Sequence, residues 1–435
     1  MPQDRRRFLR KLSAVSGAAL LTPSLLPAKA QLLAKELIAY DHLSPEEAAR
    51  DESYWAKIRL AYAASPNLIN LNNGGVSPHP RAVQEKLGLY NELSNEVPGF
   101  YMWRTLGRLR PQIKRKLADL GGCQADEIAI MRNATEALET VILGLDLKEG
   151  DEILTTDQDY PSILNTLELR VRRSGLKLKK ISLPTPIEDN DEIVKRFAEA
   201  IGPRTKAMLF CHIINMTGQV LPARELCALA RERGIYSIVD GAHSFAHLEF
   251  KISDLGADFY ATSLHKWLSA PFGTGMLQVR KERIAELWPL YGYPEEEHNQ
   301  ISKFEHQGTR SFPSEMAISE AIDFHNMIGT ARKRARLRYL REYWESRCRK
   351  LPTFKVLSPT RKPYACGISA FQLGDWQPAE LSRVLVSSYQ IYVTAFDHPA
   401  VKAVRITPHV YTSLGELDFL VNAIHELATQ TDDHE

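Results

Sequence analysis

The sequence predicts an α/β protein, with a large domain built on a mostly parallel sheet and a smaller C-terminal α+β domain. Two observations carry the large domain. Short apolar runs at 235–239 and 258–262 end in polar residues and are punctuated by glycine, as buried parallel strands are. Similar runs at 127–131, 151–155 and 207–212 each lead towards a stretch that reads as a helix. The third observation is size: 435 residues, 44% of them hydrophobic, bury a core large enough to divide into two domains.

The bulk composition narrows the function classes. Basic and acidic residues number 55 and 53, so no charge bias argues for a nucleic-acid partner. The five cysteines, at 123, 211, 227, 348 and 366, contain no C-x-x-C pair. They form neither a zinc motif nor a disulfide framework, and an odd number leaves at least one unpaired within a monomer.

In chain order, residues 1–30 read as a twin-arginine signal peptide. Arg5-Arg6-Arg7-Phe8-Leu9 matches the twin-arginine pattern, an interrupted apolar run follows, and Ala28-Lys29-Ala30 offers a small-x-small cleavage site. The apolar run falls short of the ~20 residues a membrane span requires. The expectation is a periplasmic protein exported folded by the twin-arginine machinery, with no stable membrane span after cleavage. Residues 31–80 are expected to form an N-terminal arm ending in a loop. A helical stretch over 31–62 carries the start signal Ser44-Pro45-Glu46-Glu47, and residues 68–75 give a short strand entering a glycine turn.

The large domain is expected over 81–325. Helical periodicity covers 81–120, and after the strand at 127–131 comes Asn133-Ala134-Thr135-Glu136, opening a helix that reaches about Leu145. A strand entering a helix N-terminus is an anion site, because free N–H groups and the helix dipole face the ligand. The same four residues also make an ordinary capping box, and on spacing alone the cap is the simpler reading. The next strand leads to Asp157-Gln158-Asp159-Tyr160 and a helix, and the strand at 207–212 leads to Asn215. Residues 288–313 are loop-like. The small domain, 326–435, opens with a basic helix over 326–349 whose charges are expected to solvate one face. Strands follow at 368–371, 391–394 and 404–407, with a helix from about Pro378; Ser413 and Glu416 cap the last helix.

The chemistry concentrates between 235 and 275. One strand closes on Asp240, followed by Gly241, Ala242 and His243; another leads to Ser263, His265 and Lys266. Ligands of open α/β sheets sit at the carboxyl ends of strands, so an Asp and a Lys in these places can face one crevice. That pair suits pyridoxal 5'-phosphate, which forms a Schiff base with a lysine amine and keeps its ring nitrogen protonated beside a carboxylate. His243 and His247 are four apart but lack the Glu of an H-E-x-x-H zinc helix and a third ligand, so no metal is expected. No G-x-G-x-x-G fingerprint supports a nicotinamide dehydrogenase.

Asp240-Gly-Ala-His243, Ser263-Leu-His265-Lys266-Trp267 and Pro271-Phe-Gly-Thr-Gly275 closely resemble the class V aminotransferase family of PLP fold-type I enzymes. Within it the chain looks most like the isopenicillin N epimerase-like branch, over roughly residues 65–425. The resemblance implies Lys266 and Asp240 as catalytic residues, and places the loop that ends the 31–80 arm at the mouth of the active site. It assigns Ala134 and Thr135 to the cofactor phosphate, Tyr160 to the ring face, and Asn215 and His243 to the ring hydroxyl. Ser263 and His265 read as phosphate or backbone-shaping contacts, and Arg405 as the holder of a substrate carboxylate. Thr309, in Gln307-Gly-Thr-Arg310, is implied to reach the phosphate of a neighbouring subunit, hence a homodimer. The family's cysteine desulfurases carry a nucleophilic cysteine on a loop before the carboxylate-binding arginine; residues 394–398 contain none.

Export shapes the expected substrate. It is a small molecule or peptide metabolite carrying a free α-amine, such as the glutamyl group of a pyoverdine-type siderophore, attacked at Cα. The alternatives are an isopenicillin N epimerase-like epimerase or a plain aminotransferase on free amino acids and, in another class, a non-catalytic PLP-fold binding protein.

Overall fold

In the computed structural model, which describes residues 27–429, thirteen strands are present among the described residues. β1 (Ile69–Asn70) belongs to the N-terminal arm. The large domain contains β2 (Ile128–Met131), β3 (Glu152–Thr156), β4 (Lys177–Ile181), β5 (Thr205–Cys211), β6 (Tyr236–Asp240), β7 (Phe259–Ser263) and β8 (Gly275–Val279). Their order in the sheet is β2-β8-β7-β6-β5-β3-β4. Every pairing is parallel except those of β8, which runs against both neighbours. The mostly parallel sheet expected from the sequence is therefore present.

The strand sequences explain why the sheet lies in the middle of the domain. Side chains alternate between faces. Leu154, Met208, Phe210, Val239 and Tyr260 enter one apolar cluster, while Ile153, Ala207, Leu209, Ile238 and Phe259 enter a second. Helices Ala134–Gly144, Pro161–Ser174, Asn190–Ala200 and Ala223–Glu232 link the parallel strands. β4, with three lysines in five residues, is an edge strand and only partly covered; its charge disguises it in the sequence and blunts the edge.

β9 (Phe354–Val356), β10 (Ser369–Leu373), β12 (Thr394–His398) and β13 (Val401–Ile406) form an antiparallel sheet in the order β12-β13-β10-β9. It has its own core, around Trp344, Phe371, Leu385 and Ile424. The single strand expected over 391–394 is two strands: β11 (Ile391–Tyr392) pairs with β1, and β12 turns into the larger sheet. The arm is thereby joined to the C-terminal region.

Two helical expectations change. The stretch 31–62 is three helices, Ala28–Leu37, Pro45–Arg50 and Glu52–Leu60, with the Ser44–Glu47 capping box in place. The twin-arginine pattern lies outside the described residues. The tail of the expected signal does not: the first helix runs through the expected cleavage point, and Ala30 is buried. The basic helix is Thr330–Cys348 and does not merely solvate its charges, because Arg332, Lys333, Arg336 and Arg341 are all buried. Arg336 pairs with Glu52, donates to the Ala49 carbonyl at 2.9 Å and lies over the Trp55 ring. Arg341 pairs with Glu345 at 2.8 Å and donates to the Pro359 carbonyl. Guanidinium groups with this many partners tolerate burial because most of the lost water contacts are replaced, although Arg336 Nε and Arg332 Nη1 stay without a partner among the described residues.

Removing one such partner strands the rest. Arg336→Ala is expected to destabilise the fold by about 3 kcal/mol, measured as the loss in urea-unfolding free energy. A change within about 0.5 kcal/mol, the range of an ordinary surface substitution, would mean the contacts with the arm contribute little.

Candidate active site

Five parallel strands deliver the candidate residues at their carboxyl ends. β2 leads to Asn133, Ala134 and Thr135; β3 to Tyr160; β5 to Asn215; β6 ends on Asp240; β7 leads to His265 and Lys266. Cys211, Asp240 and Ala261 lie side by side across β5, β6 and β7. β8 starts here in the reverse direction, and Gly275 allows it: a Cβ there would sit 2.5 Å from the Asn133 Cα. The resulting cavity of about 400 Å³ is lined by Ala134, Thr135, Tyr160, Asn215, Asp240, His243, Ser263, His265, Lys266 and Arg405. Thr309 is exposed and is not among the lining residues.

One end of the cavity is the N-terminus of helix Ala134–Gly144. Asn133 Oδ1 accepts from the Glu136 N–H at 2.8 Å, so the cap exists. The reciprocal half of a capping box does not: the Glu136 carboxylate accepts instead from the Arg132 N–H at 2.7 Å and pairs with the Arg132 side chain. Ser263 Oγ accepts from the Ala134 N–H at 2.9 Å, tying β7 to the helix start.

At the floor, Asp240 is buried. Its Oδ1 accepts from the Ala242 N–H at 2.9 Å and its Oδ2 faces the Cys211 thiol at 3.8 Å. No Lys or Arg forms an ion pair with it among the described residues, and burial raises its pKa from the ordinary aspartate value. Burial and the flanking Asp159 and Asp240 carboxylates raise the Cys211 thiol well above its usual value, so it is no nucleophile. Asp159 holds the turn before Tyr160: it accepts from both threonine hydroxyls at 155 and 156, from the Thr156 N–H and from the Cys211 N–H.

The Lys266 amine lies 3.3 Å from His243 Nε2, and its position is 5.9 Å from the Tyr160 ring centre. Loss of hydration outweighs the attraction of Asp240 and brings its pKa down to about 8. His243 is buried and held well below its ordinary pKa, chiefly by that burial. His265 Nδ1 bonds the Thr274 carbonyl at 3.0 Å, and burial lowers the ring to about 4. Across the cavity, Arg405 donates to the Asn215 carbonyl at 2.8 Å and to Asn72 Oδ1 at 2.7 Å, over the Phe396 ring. It forms no ion pair among the described residues, and its Nε is buried without a partner, as is Asn215 Oδ1.

These are the signs of a site shaped for a charged ligand. A buried carboxylate without a cation, a buried guanidinium without an anion and an orphaned amide oxygen each cost stability unless another molecule satisfies them. A pyridinium N–H matches Asp240, and an aldehyde matches a lysine poised near its free-base form, so the residues present fit pyridoxal phosphate. No role was read from the sequence for Asp159, Phe396 or Trp267, and Asn72 was placed only within the loop at the mouth of the site. Asp159 stands beside Tyr160 and Trp267 beside Lys266, so adjacency was the available signal; Asn72 and Phe396 are joined to Arg405 only by the fold.

A parallel sheet with a lysine and an aspartate facing a helix N-terminus defines a pyridoxal-phosphate-dependent enzyme of fold type I. The chain belongs to the aminotransferase class-V family, whose model matches residues 69–418, and its cofactor is pyridoxal phosphate. It is 33% identical to isopenicillin N epimerase of Streptomyces clavuligerus over 390 residues, covering 86% of this chain and 98% of that protein. The corresponding epimerase of Amycolatopsis lactamdurans is 31% identical, again over 86% and 98%. The fold matches that of a cystine C-S lyase solved with its product cysteine persulfide, at a TM-score of 0.75 and 24% identity, over 82% of this chain and 97% of that one.

Only the free-base amine attacks an aldehyde. The rate at which stripped protein takes up pyridoxal phosphate covalently should therefore rise with pH to a half-maximum near the Lys266 value of about 8. A midpoint at the ordinary lysine value of about 10.4 would show that the crevice does not tune this amine.

Proposed function

We propose that this enzyme inverts the configuration at Cα of an amino acid or aminoacyl group, as an isopenicillin N epimerase-like epimerase. The observation that carries the reading is likeness to two such epimerases over nearly their whole length. The crevice supports it, since it holds a cation for one carboxylate and two proton-bearing side chains around one cavity.

When bound, pyridoxal phosphate supplies an electron sink for whichever Cα bond breaks. The chain's own residues do the rest. Asp240 keeps the ring nitrogen protonated, and the N-terminus of helix Ala134–Gly144, with Thr135 and Ser263, holds the phosphate. Arg405 has three of its five N–H groups beyond its two protein bonds, so it binds a substrate carboxylate and orients the α-carbon. The Lys266 amine, near its free-base form, takes the α-proton as general base. Tyr160, facing Lys266 across the crevice, returns a proton from the other side. The homodimer belongs to this proposal too, because Thr309 is exposed here and its implied role needs a second copy.

Desulfurase chemistry has less support. Residues 394–398 carry no cysteine, Cys366 is buried with its thiol on the Gly218 carbonyl, and the Cys211 thiol, at the cavity floor facing Asp240, has its pKa raised well above the usual value. The relatives named above likewise do not favour the siderophore-linked substrate expected from export. We keep periplasmic export as a proposal resting on Arg5-Arg6-Arg7-Phe8-Leu9 alone.

The test is incubation of holoenzyme with L-amino acids and N- or side-chain-acylated derivatives in heavy water, without a keto acid. An epimerase yields the opposite enantiomer carrying deuterium at Cα. Keto-acid formation that depends on an amino acceptor, or release of sulfide from cysteine derivatives without inversion, would contradict the reading.

A further inference from the structure

Trp267 follows the cofactor lysine directly, is fully buried, and has no role in the chemistry above. Its indole is clamped. The His247 ring lies 3.9 Å from it, tilted by 34°, and the His409 ring stacks at 5.9 Å and 14°. The buried Lys333 ammonium donates to the Trp267 carbonyl. His247 is itself fixed at both nitrogens: its Nε2 accepts from the Gly367 N–H at 2.9 Å, so its Nδ1 carries the proton and donates to the His243 carbonyl at 2.9 Å. The ring holding Trp267 is thus anchored to a segment close to β10 and to the backbone of the residue that Trp267 touches.

That touch is a hydrogen bond from Trp267 Nε1 to His243 Nδ1 at 3.3 Å. An indole N–H only donates, so His243 Nδ1 is the acceptor and carries no proton. A neutral imidazole then carries its proton on Nε2, which lies 3.3 Å from Lys266 Nζ. An Nε2–H pointed at this amine is satisfied by a lone pair and repelled by an ammonium group. We infer that Trp267 is a positioning residue: through its hydrogen bond it fixes His243 as the Nε2–H tautomer, and His243 in turn favours Lys266 as the free amine. In the loaded enzyme the same tautomer keeps a donor aimed into the crevice.

The charged and titratable groups around this chain of bonds are Asp240 and Cys211 at the floor, Arg405 and Tyr160 across the cavity, and His247 and Lys333 behind. None of them donates to His243 Nδ1 among the bonds of the described residues, so the tautomer rests on the indole.

The full-length protein, labelled with 15N-histidine and studied both stripped of cofactor and reloaded, tests the inference. His243, assigned by comparison with His243→Gln, should give the resonance pair of a neutral Nε2–H imidazole in both forms. An Nδ1–H or doubly protonated His243 in the unmutated protein overturns the inference, whatever any variant does. Trp267→Phe keeps a ring between His247 and His409 while deleting the N–H. It should mix the His243 tautomers and move the midpoint pH of covalent cofactor uptake upward by about one unit, a tenfold drop in free amine at fixed pH. A variant that folds and loads with the wild-type tautomer and midpoint reduces Trp267 to filler. Both readouts are taken without substrate, so they stand apart from the epimerase reading.

Discussion

Charge without a partner organises this molecule. Among the described residues, Asp240 lies at the floor of the crevice with no cation paired to it, and Arg405 lies buried across the cavity with no anion. Between them Lys266 is driven towards neutrality by lost hydration. A fold that ended with these groups unsatisfied would be unstable for its size, since a buried ion costs several kcal/mol without compensation. In the reading proposed above, the compensation comes with the cofactor and a substrate carboxylate. Stability given up at the site is thus the source of its affinity.

The rest of the architecture holds those groups still. Five strands pointing one way bring five loops to one edge of the sheet, and reversed β8 closes that edge where a glycine lets it meet Asn133. Asp159 fastens the Tyr160 turn with three hydrogen bonds from Thr155 and Thr156 of β3 and one from the Cys211 N–H of β5. The small antiparallel sheet presents Arg405 from β13, and Asn72 from the arm holds the guanidinium in place. The arm is in turn fastened by Glu52 to Arg336 and by Arg59 to Glu416. Arg405 is therefore supported by three parts of the chain that are far apart in sequence.

What the sequence made legible follows from how local each signal is. The buried parallel strands announce themselves as apolar runs, and Asp240 and Lys266 stand directly at or just past strand ends, so strand position and chemistry could be read together. β4 was hidden because an edge strand with Lys177, Lys179 and Lys180 lacks an apolar pattern. The split of 391–394 into β11 and β12 depends on pairing with Ile69 and Asn70, more than three hundred residues away. Arg332 and Arg336 of helix Thr330–Cys348 read as solvated because burial of a guanidinium is decided here by carbonyls and carboxylates in the arm. The reciprocal bond of the Asn133 cap went elsewhere because Arg132 N–H competes for Glu136. In each case a long-range or competing partner decided the outcome.

The central claim is that Lys266, facing Asp240, is the residue that carries the cofactor. Borohydride reduction of the loaded protein, followed by proteolysis and mass spectrometry, fixes the point of attachment directly. One pyridoxyl-phosphate adduct per chain is expected, on the peptide containing Lys266. An adduct on Lys333, Lys303 or any other lysine, or loading undiminished in Lys266→Ala, would contradict it.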